Sequence, residues 1–143
     1  MSGRIFRVSP PTLMDFSNVK ASSTQELILA SRIDVTPYNY AGLGVRVHGD
    51  YSIAQSGAKI EVFARPDAFT TDDPGADWDY SQVSDLGTVT IPYNLGNIVP
   101  FFDGSGWDCS YNGLIHIVVR GTQVATQGAV QAILSVDLVL KEG

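Results

Sequence analysis

Cysteine occurs once in 143 residues, at Cys109, so no disulfide can form within the chain, and the disulfide-framed class of small secreted domains is excluded. Long apolar runs are missing as well. Nothing approaches the roughly 20 residues of a membrane span, and residues 1–12 (MSGRIFRVSPPT) lack the apolar block of a signal peptide. The expectation is a soluble chain made in the cytoplasm, not secreted by a signal peptide and not membrane-bound. Charge is sparse at 17%, and no Lys or Arg stands between Arg65 and Arg120, a stretch that holds eight aspartates. With a net charge of −6 and no basic cluster, the chain has nothing to displace counterions from phosphate, which argues against nucleic acid as a partner. Also absent are a Gly-x-Ser-x-Gly elbow, a phosphate loop and any His/Cys group at zinc spacing.

Apolar residues are plentiful, 44% of the chain, and the length suits a single domain with one core. They recur with period two, the spacing that puts alternate side chains on one face of a strand. Strands are predicted over 26–35 (ELILASRIDV), 43–53, 57–64, 86–91, 114–120 and 130–140. In the last of these Val130, Ala132, Leu134, Val136, Leu138 and Leu140 share a face, the clearest core strand in the chain. Fourteen glycines punctuate the connections, as at His48-Gly49-Asp50, Gln55-Ser56-Gly57 and Asp103-Gly104-Ser105-Gly106, the last read as a hairpin or crossover turn. Ser23-Thr24-Gln25-Glu26 has the form of a helix cap, but the β-alternation at Arg32, Ile33, Asp34 and Val35 overrides it. The fold expected is all-β, an antiparallel two-sheet sandwich of jelly-roll type over residues 26–143, preceded by an extended N-terminal arm over 1–25.

The arm mixes Arg4, Arg7 and Lys20 with apolar residues that follow no period, and it contains Pro10-Pro11. An extended apolar segment laid on a neighbour gains about 25 cal/mol per Å² of area buried, together with strand hydrogen bonds. Arg4, Ile5, Phe6, Arg7, Val8, Leu13 and Phe16 are therefore the candidate partner-binding residues.

The loop over 66–85 brings Asp72, Asp73, Asp77 and Asp79 within eight residues. Calcium takes six to eight oxygens, so these four are a candidate set. Their spacing is not that of an EF-hand and no Glu closes the loop, and a solvated acidic turn with no metal or cofactor is the preferred reading. Trp78, Tyr80, Trp107 and Tyr111 could form a platform on which sugar rings stack, the mark of a carbohydrate-binding module; burial as loop anchors is the alternative. Cys109 with His48 or His116 could pair as thiolate and imidazole, but nothing in the sequence orients them, and the chain is read as a non-enzyme.

Residues 31–35 (SRIDV) followed by 43–64 (LGVRVHGDYSIAQSGAKIEVFA), together with the arm-and-sandwich organisation, resemble the cement or decoration proteins of tailed bacteriophages. The resemblance implies a virion structural protein, oligomeric, whose arm and one sheet edge engage the major capsid protein, other particle subunits or a sister copy. The same resemblance equally implies a tail or head-fibre part, and a carbohydrate-binding module built on the four aromatics is the alternative function.

Overall fold

The structure is a computed structural model that describes residues 3–66, 85–95, 101–110 and 113–142. Nine strands run through them: β1 (Gly3–Asp15), β2 (Ser23–Asp34), β3 (Tyr40–Ile53), β4 (Lys59–Pro66), β5 (Leu86–Pro92), β6 (Phe101–Asp103), β7 (Trp107–Asp108), β8 (Leu114–Gln123) and β9 (Val130–Lys141). No helix occurs among the described residues. One sheet, here sheet A, has the order β1-β9-β3-β6, with β7 also on β3; sheet B has the order β2-β8-β4-β5. All pairings are antiparallel. The chain passes back and forth between the sheets, so that β1 and β9 lie together in one and β2 and β8 in the other. That winding is the jelly roll.

The six expected strands are present, with ends shifted by a few residues. Their inner faces interdigitate: Val130, Ala132, Leu134, Val136, Leu138 and Leu140 of β9 are fully buried, as are Ile60, Val62 and Ala64 of β4 and Ile115, Ile117 and Val119 of β8. Each such Val, Ile or Leu contributes about 1.5–3 kcal/mol of burial free energy.

Residues 3–15 are a correction to the sequence reading. They were expected as a free arm, but form β1, paired with β9 from Gly3↔Lys141 to Asp15↔Gln131. The missing period has a physical cause. The register shifts between Arg7 and Ser9 and again between Ser9 and Thr12, one extra residue on β1 each time, and every such bulge reverses which face the next side chain takes. Phe6, Ser9, Thr12 and Met14 sit opposite the inward residues of β9, while Ile5, Arg7 and Leu13 sit opposite its outward ones. Residues 103–108 are a second correction. The chain does not turn there: β6 and β7 both run antiparallel to β3 and follow one another along it, split by Gly104-Ser105-Gly106.

Three strand ends share a local device. In Asp15-Phe16-Ser17, Asp34-Val35-Thr36 and Asp108-Cys109-Ser110 the aspartate accepts the backbone N–H two residues on, at 2.9 Å in each case, and the residue between is buried. The Asx turn ends the strand and drives its middle residue into the core.

Candidate interaction surface

The partner-binding residues expected on the arm divide between inside and outside. Phe16 is 1% exposed, its ring lying against Gly121, where an added Cβ would come within 2.0 Å of it. It is a core residue, and its assignment to a partner is withdrawn. Val8 is half-buried against the core. Arg7 is tied to Asp137 at 2.6 Å, and Arg4 is exposed. Ile5, Phe6 and Leu13 remain as large apolar groups open to solvent, with Ile5 at 73%.

They have counterparts on β2. Leu27 and Ile28 are exposed, the latter at 60%. β1 and β2 are the outer strands of their sheets and lie against each other at one margin of the sandwich. Each carries two one-residue bulges, but Gly3–Arg7 and Ser23–Ile28 keep an unbroken register on their inner neighbours. Among the described residues no strand pairs with their other edges.

Outward from sheet B lies an ion-pair ladder that sequence reading missed. Glu26, Arg120 and Glu61 stand opposite one another across β2, β8 and β4. Arg65 donates two 3.0 Å hydrogen bonds to Glu26, and Arg120 reaches Glu61 at 3.2 Å and Asp85 at 3.1 Å. Both guanidinium groups cover the buried ring of Phe63, at 5.1 and 4.7 Å from its centroid. The hydrogen bonds from Arg65 hold the Glu26 carboxyl below its ordinary value. Every charge in the ladder is answered by another, which makes it a seal over Phe63.

The groups considered for catalysis are set apart. His48 Nε2 lies 2.8 Å from Ser135 Oγ, but Ser135 is 1% exposed and beyond the reach of a substrate. Cys109 is buried, its thiol directed to the Tyr38 carbonyl at 3.5 Å, and burial pushes its pKa up, the reverse of an activated nucleophile. His116 is buried on β8.

Of the four aromatics proposed as a sugar platform, Trp107 is described. It pairs with Ala41 on the inner side of β3 and packs on the core, its six-membered ring against Gly87, so it is not an open platform. Trp78, Tyr80 and Tyr111, like Asp72, Asp73, Asp77 and Asp79, lie outside the described residues. Among the described residues no group of three or more His, Cys, Asp or Glu side chains is placed to hold a metal.

The outer face of sheet A does hold a depression of about 200 Å³, floored by Gly42 and Gly44 of β3 and walled by Tyr40 and Phe101. It shares Val139 and Lys141 with a second hollow beside Ile5 at the end of β1.

No protein-family model matches the chain, and no characterised protein matches it by sequence. Among solved structures, a chain in the structure of infectious bursal disease virus, Gx strain, superposes on 97% of this chain with a TM-score of 0.50 at 11% identity. This chain spans 31% of the length of that one, and the likeness is one of fold. A chain of the infectious bursal disease virus VP2 subviral particle covers 98% of this chain at 11% identity with a TM-score of 0.33 and is itself 41% covered. The strand order and the first of these overlays together describe a jelly roll of the kind found in that virus.

Proposed function

We propose that this chain is a structural subunit of a viral particle, which binds and stabilises the shell by seating the β1/β2 margin on a neighbouring subunit. One observation carries the reading. Of nine large hydrophobic residues exposed among those described, five (Ile5, Phe6, Leu13, Leu27 and Ile28) lie on the two strands of that margin. Proteins ordinarily blunt such edges with charge, proline or bulges. Here the bulges, and Pro10-Pro11 on β1, lie in the middles of the strands, while Gly3–Arg7 and Ser23–Ile28 keep a regular register and each carries two exposed large apolar residues, Ile5 and Phe6 on β1 and Leu27 and Ile28 on β2, which leaves these stretches available for strand addition. The partner is a copy of this chain or the major capsid protein, and the phage cement class is the reading the sequence resemblance favours. The contact differs from the one expected of a free arm: β1 engages from its place in the sheet.

The experiment pairs light scattering and electron microscopy of the purified chain with co-sedimentation on shells, for wild type and an Ile5→Asp/Ile28→Asp double variant. The expected result is oligomers or shell binding for wild type, and a monomer with unchanged circular dichroism for the variant. A wild-type chain that stays monomeric at high concentration and leaves shells bare overturns the proposal.

A further inference from the structure

We infer that copies of this chain associate head to tail, the β1/β2 margin of one seated on the β5/β6 margin of the next; the contact rests on the binding surface proposed above and names its partner as a second copy. β5 and β6 are the outer strands at the far side of their sheets and meet there, with Gly104 resting on the backbone of Gly87. Among the described residues no strand pairs with their outer edges. Exposed hydrophobic residues mark this margin as they mark the first. Of the four that lie away from β1 and β2, three are here: Phe101 on β6, Tyr40 paired with Asp108 of β7, and Tyr93 directly after β5. Val124 is the fourth. Two apolar margins on one molecule allow a copy to be held at each.

Charge decides how the margins combine. On sheet A the edge strand β1 carries Arg4 and Arg7, with Asp15 at its far end, while β6 and β7 carry Asp103 and Asp108 and no cation. The cations nearest them, Arg46 and Lys141, belong to the inner strands β3 and β9 and lie over the Phe101 and Tyr40 rings. Like margins would bring arginine to arginine or aspartate to aspartate, which is unfavourable across a strand pair; unlike margins bring opposite signs together. Arg4 and Asp103 are exposed, and neither makes a side-chain hydrogen bond or ion pair with the described residues. On sheet B, β5 carries no charge to oppose those of β2. Strand direction agrees. Each sheet has four strands along its hydrogen-bonded path and every step is antiparallel, so β1 runs opposite to β6, and β2 opposite to β5. A second copy set beside the first in the same orientation therefore meets it antiparallel in both sheets at once. Register agrees as well: Arg7 pairs with Asp137, Asp137 with Gly44 and Gly44 with Asp103, one row across sheet A. Continued into the next copy, the row sets Asp103 beside that copy's Arg7. Sheet twist turns each copy relative to the last, so the repeats wind into a ring or a filament and not a flat strip.

Two blocked chains test the contact by light scattering at about 0.15 M salt, where the repulsion between chains of net charge −6 is screened. Ile5→Asp/Ile28→Asp leaves only the β5/β6 margin, and Phe101→Asp/Asp103→Arg leaves only the β1/β2 margin. Wild type should form oligomers larger than a dimer. Each blocked chain alone should be monomeric with unchanged circular dichroism, and an equimolar mixture of the two should give a one-to-one dimer. The single substitutions Arg7→Cys and Asp103→Cys add a readout in chains with both margins intact: an intermolecular disulfide should form when the two are mixed and in neither alone, Cys109 being buried. The head-to-tail contact is overturned by a mixture of folded blocked chains that stays monomeric beside an oligomeric wild type, by a disulfide dimer of Arg7→Cys with itself, by no disulfide in the mixture, or by a wild type that binds shells as a monomer. In each of these cases the β1/β2 margin keeps the role proposed above. A wild type that neither associates nor binds shells removes the margin itself.

Discussion

Phe16 and Gly121 act as a pair. The ring occupies the space a side chain at 121 would need, and the Asx turn of Asp15-Phe16-Ser17 fixes the backbone from which it enters. Replacing Phe16 by Ala should cost about 3–5 kcal/mol in denaturant unfolding, the range for emptying a buried aromatic site. Were Phe16 a surface anchor instead, the loss would be near zero. Glu26 is different, because its contribution depends on pH. Its folded-state carboxyl titrates below the ordinary 4.5, so the ladder adds stability above that value and loses it as pH falls through the folded one. The group is partly exposed, so the effect is modest. Melting temperatures measured from pH 7 to pH 3 should show a shallower acid decline for Glu26→Gln than for wild type, with the variant starting lower at neutral pH. Neither role was visible in the sequence. Phe16 sits among residues without period, and the ladder joins residues 26, 61, 85 and 120, which only the strand register brings together.

At the scale of elements, alternation made β3, β4, β5, β8 and β9 legible, because each holds buried residues at alternate positions; in β3 the run Ala41, Leu43, Val45 and Val47 is complete before its bulges begin. β1 was not, since its two bulges scramble the period and Pro10-Pro11 resembles a linker. β6 and β7, at three and two residues, are too short to show a period at all. The surface margin was half legible: the apolar residues of β1 were picked out as contacts, while Leu27 and Ile28 were read only as part of the strand over 26–35. If β1 completes sheet A, deleting residues 1–20 should leave a chain that fails to fold cooperatively, since it would strip β9 of one neighbour and remove Met14 and Phe16 from the core. Circular dichroism and thermal melting check this. A truncated protein that melts like the full chain would return the segment to the status of a free arm.

For the whole molecule, the winding places sequence-distant strands side by side: β1 with β9 and β2 with β8. Loop closure over such separations is slow, so refolding should proceed over milliseconds to seconds, far behind helical domains of this size. Stopped-flow refolding by tryptophan fluorescence would show it, and a microsecond phase carrying the full amplitude would contradict it. The acidic surface, with a net charge of −6, favours neutral or basic partners and keeps free copies of the chain apart at low salt.

The pairing of Gly3 with Lys141 has an engineering consequence. Residues at the two extremes of the sequence are strand neighbours, so a linker of about four residues could join them without strain. New ends cut at the exposed Gln55-Ser56-Gly57 turn would then give a permuted chain with the same sheets. Cargo genetically attached at either extreme would leave the molecule from one corner, at the hollow beside Ile5, and a bulky passenger there would crowd the β1 end of the β1/β2 margin whichever extreme carried it.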